Sequence, residues 1–264
     1  MRWTKFIHLT DTHFVEPGER LYGGDPRSRL EAAVRSIATE HADAEFCLIT
    51  GDLAHLGQPQ AYGALREVLA GLPMPVQLLL GNHDDRHAFQ ACFPAVPRDA
   101  DGFVQRALPF RQGLLLMLDT NEPGVSHGVF CERRRAWLAA QLAASGEQPV
   151  WIAMHHPPFD IGLPSMDAIG LREADAFEAV IAPHRQRLRH LFFGHVHRPV
   201  SGSWLGVPFS TLRALNHQVA LDFRDDGRIP GSFEPPAYAV VLADERQTVI
   251  HNHDFLDASE RFLL

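Results

Sequence analysis

The sequence predicts an α/β protein in which two sheets pack together with helices on their outer faces. Three observations carry this. Short apolar runs and amphipathic stretches alternate as β-α-β-α-β from residue 5 to residue 80, the order of a parallel or mixed sheet wrapped by helices. The last of those runs, Val76–Leu80, is nearly all apolar, as in strands covered on both faces. After residue 197 the pattern becomes all-strand, and no low-complexity linker separates it from what precedes.

Lys5–Thr10 reads as the first strand. Residues 27–42 follow as a helix, with Leu30, Val34, Ile37 and Ala38 at helical spacing. Glu45–Thr50 is a second strand. Pro59–Ala70 is a helix opened by proline in its first turn and followed by Gly71. Val76–Leu80 is a third strand, with a short helix expected over Asp85–Cys92. Phe103–Phe110 and Leu114–Asp119 read as neighbouring strands, antiparallel to each other. A helix over Cys131–Ala144 carries Trp137, Leu138 and Leu142 as its core stripe. Then come strand Val150–Met154, a long loop, a helix over Leu171–Ala182 and strand Leu191–Phe193. Short strands are expected at 201–205, 207–212, 217–223, 238–243 and 248–254, with a Gly- and Pro-rich loop over 225–236. We expect residues 1–212 to form a catalytic core and 213–264 a β-rich extension, joined to that core or serving as an oligomer contact.

Bulk properties narrow the function. The 264 residues are 45% hydrophobic and 21% charged, as in ordinary soluble globular proteins. No stretch reaches the ~18 apolar residues of a membrane span, and the first residues lack a secretory pattern, so a cytoplasmic location is expected. A net charge of -8 argues against a nucleic-acid polymer as partner. The three cysteines lack CxxC spacing, which excludes a disulfide framework or a zinc knuckle. Cys47 reads as a core residue. Sixteen histidines point toward metal.

Five polar clusters end apolar runs: Asp11-Thr12-His13, Gly51-Asp52, Gly81-Asn82-His83-Asp84, His155-His156-Pro157-Pro158 and Gly194-His195-Val196-His197. In open α/β sheets ligands bind beyond the carboxyl ends of strands. Asp11 and His13, like His195 and His197, are two apart, so on an extended strand end each pair points one way and can grip one ion. Asp52 has two carboxylate oxygens and can bridge two cations. Asn82 offers a neutral amide oxygen, and His155 ends its strand. This mixed imidazole and oxygen set suits Zn, Fe, Mn or Co better than calcium. Two ions about 3.5–4 Å apart would bring bound water toward a pKa of roughly 7 and polarise a phosphoryl oxygen. In-line attack of a metal-bound hydroxide on phosphorus would follow. His83, beside Asn82 but facing elsewhere on an alternating backbone, is placed to protonate the leaving group.

In this order DTH, GD, GNHD, HHPP and GHVH resemble the calcineurin-like metallophosphoesterases. Among them they look most like the bacterial class III cyclic-nucleotide phosphodiesterases and their glycerophosphodiesterase relatives. The stretches DTHFVEPGERLYG and GNHDD and the pair His217-Gln218 share the likeness, which covers roughly residues 5–220. The resemblance implies a four-layer α/β/β/α sandwich of two mixed sheets holding two divalent or trivalent ions. Carried over residue by residue, it implies Asp11, His13 and His197 on the first ion, Asp52 bridging, and Asn82, His155 and His195 on the second. It implies that His83 meets the phosphate and assists the leaving group, with Asn82 and His217 also on the substrate side. The implied substrates are small: 3',5'-cyclic nucleotides such as cAMP, or glycerophosphodiesters. The extra arginines of the family's phosphatase branches cannot be placed here, which favours diesters.

Rival readings make different demands. A nuclease on this fold needs a basic groove, and a phosphomonoesterase would favour monoesters over diesters. A non-catalytic metal-binding scaffold would show gaps in the ligand set, yet every position holds a competent residue. A homo-oligomer is expected from the strand-rich C-terminal region. Blander roles are expected elsewhere. His156 and Asp84 lie outside the ligand shell, with Asp84 orienting His83 or capping the next helix. His8 is a satisfied histidine inside the sheet. His55 either lines the pocket or sits in a surface turn. His251 and His253 are surface or interface residues, and residues 132–135 form a solvated basic face.

Overall fold

The computed structural model describes residues 3–263. Its first half runs β1 (Thr4–Leu9), α1 (Pro26–Glu40), β2 (Cys47–Thr50), α2 (Pro59–Leu69), β3 (Val76–Leu79) and α3 (Arg86–Cys92). The second runs β4 (Arg106–Phe110), β5 (Gly113–Leu118), α4 (Glu132–Ala144), β6 (Val150–Met154), α5 (Pro164–Asp167) and α6 (Ala174–Ile181). A 3₁₀ helix, Ala182–Arg187, leads into β7 (Leu188–Phe193), β8 (Ser201–Trp204) and β9 (Val207–Ser210). The chain then forms β10 (Gln218–Val219), β11 (Gly231–Ser232), β12 (Tyr238–Ala243) and β13 (Thr248–His253).

Two mixed sheets result. One has the order β13-β12-β1-β2-β3, the other β4-β5-β6-β7-β9-β8. In the first, β1, β2 and β3 are parallel, and β12 and β13 join antiparallel at the β1 edge. In the second, β5, β6, β7 and β9 are parallel, flanked by antiparallel β4 and β8. All the candidate clusters therefore follow parallel strands, whose carboxyl ends share one rim.

Period-2 alternation sorts each strand between two apolar interfaces. In β1, Ile7 and Leu9 face α1 and α2, where Leu30, Ile37 and Leu65 are fully buried. Phe6 faces the other sheet: it stacks on Phe46 at 4.7 Å between centroids and meets Phe192 edge-on at 5.6 Å. Met117, Trp151 and Val241 complete this inner layer. Beyond the second sheet, Leu116, Ile152 and Phe193 pack with Leu138, Leu142 and Phe177 of α4 and α6. Three apolar interfaces separate four layers, as the resemblance implied.

Local signals place the helix starts. Asp25 caps α1 by accepting from the Ser28 backbone N–H at 3.2 Å, with Pro26 in the first turn. Asp85, not Asp84, caps α3, accepting from Ala88 N at 2.7 Å. The expected strand over 217–223 shortens to β10, because Leu221 and Phe223 are exposed and no layer covers them. The helix expected from Leu171 begins at Ala174, since Leu171 spends its N–H on the Pro157 carbonyl and bridges to Gly128. The basic face over 132–135 is not uniformly solvated. Arg133 is exposed, but Arg134 is buried, with its guanidinium over the Phe103 ring at 4.1 Å and bonded to the Asn121 and Val129 carbonyls.

Phe192→Ala should cost about 3–5 kcal/mol, read from denaturant unfolding, because the ring fills the layer between the sheets. His190 is buried beside Ser210, its Nε2 2.9 Å from the hydroxyl, and burial pushes its pKa down to about 3. The unfolded chain takes up this proton near pH 6.5 and the folded chain does not. The contribution of His190 is therefore intact above pH 6.5 and is lost as pH falls from there toward 3. The slope of unfolding free energy over that window should flatten in His190→Leu.

Candidate metal centre

The rim gathers all seven expected ligands. The first group is Asp11, His13, Asp52 and His197, four buried residues whose donor atoms lie within 4.8 Å of one another. The Asp11 Oδ1 to His197 Nε2 distance is 3.2 Å and His13 Nε2 to His197 Nε2 is 3.0 Å. On the other side, Asn82 Oδ1 meets His155 Nε2 at 3.2 Å and His195 Nδ1 at 3.0 Å. Asp52 stands between the two groups. Its Oδ2 is 3.5 Å from His13 Nε2 and 3.4 Å from His155 Nε2.

The backbone reaches this arrangement differently from the expected extended strand ends. Asp11, His13, Asp52, His195 and His197 all have positive φ, between 44° and 67°. Among the described non-glycine residues only Tyr22 and Leu205 share that property. Each such position costs on the order of 1–3 kcal/mol. Left-handed turns, not strand alternation, aim the i, i+2 pairs inward. Asn82 and His83 likewise lie in a turn. Gly81 precedes them because a Cβ there would fall 2.1 Å from Asp52 Oδ1.

Neighbouring acceptors fix the histidine tautomers. His155 Nδ1 donates to the Thr50 carbonyl at 2.7 Å and His197 Nδ1 to the His217 carbonyl at 2.8 Å, so each turns Nε2 inward. His13 Nδ1 is 3.2 Å from His55 Nδ1. Burial alone would push both carboxyls up. For Asp11 it is outweighed by the charge and hydrogen bond of His197, and for Asp52 by His155 and His83. Both stay below the ordinary carboxylate range. Burial pulls His155 down, but Asp52 outweighs it and raises the ring to about 9; Asp11 likewise raises His197. Burial holds His13 well below its ordinary value and takes His195 to about 3.

This donor set fits metal ions. Two carboxylates draw positive charge onto the nearest rings. His13 Nε2 and His197 Nε2 face each other at 3.0 Å, 3.5 Å from Asp52 Oδ2 and 3.2 Å from Asp11 Oδ1 respectively, so a cation among them would meet two rings and two carboxylates. His195 Nε2 is buried with no partner among the described residues.

His83 donates from Nδ1 to the His55 carbonyl at 2.7 Å and stacks on the His55 ring at 4.9 Å. That leaves Nε2 as its proton-exchanging atom. Its backbone N–H donates to Asp52 Oδ1 at 2.9 Å. His217 lies over the first group, 4.9 Å from the His13 ring and 4.7 Å from the His197 ring between centroids. His55 lines the cavity. His156 stands closer to the centre than expected: a donor atom of its ring lies within 4.8 Å of those of His155 and His195, although Nδ1 is 2.7 Å from Thr120 Oγ1 and Nε2 3.3 Å from the Ser126 carbonyl. His8 is buried in the sheet, Nε2 2.9 Å from Thr50 Oγ1. His251 is exposed on edge strand β13, and His253 is 3.6 Å from Glu40.

Asp84 does not touch His83 through its carboxylate. It accepts from the backbone N–H groups of Leu53, Ala54 and Gly81 and from the Tyr62 hydroxyl at 2.9–3.0 Å. It thus ties the Asp52 loop to the Asn82 loop. Burial, then the charge of Asp52, raises its carboxyl to about 6 against those donors. Asn121 escaped the sequence reading as a site residue. Its amide donates to the Gly81 and Asp84 carbonyls at 2.6 and 2.9 Å, clamping the turn that carries Asn82 and His83. The signal was present, because Asp119-Thr120-Asn121 is a further polar cluster after an apolar strand.

The centre opens into a cavity of about 450 Å³. Tyr22, Ser126, Met166, Ile169, Ile229 and Phe233 also line it, so loops and the β10–β11 hairpin face the rim.

Residues 4–199 match the model of the calcineurin-like phosphoesterase family. The chain belongs to that family. It is 51% identical to a probable cyclic nucleotide phosphodiesterase of Rhodopseudomonas palustris, over 96% of this chain and 93% of that one. It is 30% identical to the glycerophosphodiester phosphodiesterase GpdQ of Enterobacter lignolyticus, over 93% and 89% of the two chains. The 3',5'-cyclic adenosine monophosphate phosphodiesterase CpdA of Pseudomonas aeruginosa matches at 31%, over 73% and 69%. A dimetal phosphatase from Danio rerio superposes with a TM-score of 0.68 at 14% identity, over 94% of this chain and 98% of that one. The last likeness is one of fold.

Asp84→Ala would leave three backbone N–H groups and a hydroxyl without their acceptor. Chemical denaturation should register a loss of about 3–5 kcal/mol, and Tyr62→Phe a loss of about 1 kcal/mol.

Proposed function

We propose that the chain hydrolyses small phosphodiesters, foremost 3',5'-cyclic nucleotides, at a dinuclear centre. The observation that carries this is the Asp52 carboxylate, one oxygen of which lies 3.5 and 3.4 Å from imidazoles of two separate donor groups. Asp11, His13 and His197 would hold one ion, Asn82, His155 and His195 the other, and Asp52 would serve both. Fe, Mn, Zn or Co suits these donors. Bound metal would supply positive charge for the phosphoryl oxygens and an activated water at neutral pH.

The chain's own residues do the rest. Asp11, Asp52 and the four histidines around them, His13, His155, His195 and His197, are buried, which keeps bulk water from the reacting atoms. Hydrogen bonds from His13, His155 and His197 to outer partners hold their inward nitrogens in place. His83, with Nδ1 committed to the His55 carbonyl, presents Nε2 to the cavity and can give a proton to the departing oxygen. His217 stands where it can touch the phosphate or its ester group. The wall of Met166, Ile169, Val219, Ile229 and Phe233 suits a substrate bearing a flat apolar group, and the Rhodopseudomonas relative supports the same class. Glycerophosphodiesters are the second reading, favoured by the likeness to GpdQ.

No helix among the described residues is long and apolar enough to cross a membrane. We propose a homo-oligomer, supported by the exposed Leu221, Phe223, Ile229 and Phe233.

Bis(p-nitrophenyl) phosphate should be turned over faster than p-nitrophenyl phosphate, and cAMP should yield a nucleoside monophosphate. Asp52→Ala and chelation should each abolish turnover; full activity after both would sink the mechanism. His83→Ala should retain bound metal and lower kcat by about 10²–10⁴, read in steady-state kinetics.

A further inference from the structure

A run of hydroxyls leads away from the metal-ligand rim into the sheet. Thr10 donates from Oγ1 to Asp11 Oδ2 at 2.5 Å. Thr50 donates from Oγ1 to Thr10 Oγ1 at 2.8 Å. His8 Nε2 lies 2.9 Å from Thr50 Oγ1. All four residues are at most 1% exposed, so water cannot substitute for any link.

The direction of this run is fixed by counting protons. A hydroxyl has one proton to give. The Asp11 carboxylate only accepts, so the Thr10 proton goes to it. Thr10 Oγ1 then receives from Thr50, whose proton is thereby used. Thr50 Oγ1 must receive from His8, so His8 carries its proton on Nε2 and leaves Nδ1 bare. His8 Nδ1 is indeed buried without a partner among the described residues. A bare acceptor in that position costs less than an orphaned N–H.

Thr50 also has a second task. Its carbonyl accepts from His155 Nδ1 at 2.7 Å, so one residue of β2 holds a candidate ligand from each donor group. Gly194 packs against this junction. A Cβ there would come within 2.5 Å of both Thr10 Oγ1 and the Thr50 carbonyl oxygen. With Oδ2 taken by Thr10, Asp11 turns Oδ1 toward His197 Nε2, 3.2 Å away.

We propose that His8, Thr50 and Thr10 form a one-way donor chain that positions Asp11 as a ligand, and that Thr50 is the residue through which both ion sites are braced. The proposal rests on the dinuclear reading above. These are positioning residues: none reaches the cavity.

The test is metal binding by the full chain, stripped and then titrated with Mn²⁺, with bound metal counted at each step. Thr10→Val should keep one ion at wild-type affinity and weaken the other about 10- to 100-fold. Thr50→Val should weaken the same ion, because its carbonyl and the His155 contact survive, and Thr50→Ser should restore it. His8→Phe should shift that ion in the same direction by less. Should Thr10→Val fail to fold, Thr50→Val and its serine rescue decide the matter, since they leave Thr10 and Asp11 in place. Two ions bound with wild-type affinity in both valine variants would overturn the proposal. So would an equal weakening of both ions that serine does not repair, which is what a merely structural role predicts. A wild-type chain that binds no Mn²⁺, Zn²⁺ or Fe²⁺ would instead overturn the dinuclear reading.

Discussion

Two carboxylates, Asp11 and Asp52, lie almost wholly out of water at the ends of adjacent parallel strands. An unpaired buried charge costs several kcal/mol, and much of the surrounding structure answers that cost. Imidazoles from the other sheet approach both groups. Asp52 accepts the backbone N–H of His83, and Asp11 accepts that of His195 and the hydroxyl of Thr10. The two sheets must stay in register for this to hold, because the carboxylates come from one sheet and His155, His195 and His197 from the other.

The same demand explains where the backbone is strained. Five of the candidate ligands occupy left-handed conformations that side chains other than glycine rarely adopt. Fully buried strands on either side make such turns affordable. Asp84 and Asn121 act at the next level outward, fastening the loops to each other through backbone N–H and carbonyl groups. Rigidity at the rim thus comes from polar contacts among loops, and rigidity beneath it from the three apolar interfaces between layers.

The layers and the ligand cluster were legible in the sequence because each depends on a short-range signal. Largely apolar runs at 47–50, 76–79 and 150–154 mark strands covered on both sides, and a polar cluster after each run marks the rim. Less legible was anything that depends on partners distant in the chain. Asp84 reads as a neighbour of His83, but three of its four partners lie at 53, 54 and 62. Arg134 reads as part of a basic run, but Phe103 and two carbonyls draw it inward. The strand expected over 217–223 shows alternation with no layer to bury it. The ligand pairs were found for a reason the backbone does not honour: i, i+2 spacing brings them together through left-handed turns.

β1 carries the first candidate ligand at its end and pairs on one side with β2, on the other with β12. In that second ladder Thr4 lies opposite Ala243. During synthesis the first strand therefore emerges long before its neighbour exists, with one row of N–H and C=O groups open. Such an edge is a template for pairing with other chains, and closing a ladder between distant segments is slow. The two candidate ligands that follow β1, Asp11 and His13, are therefore secured only once β12 has been made, and any earlier pairing along that open edge would compete with completion of the rim.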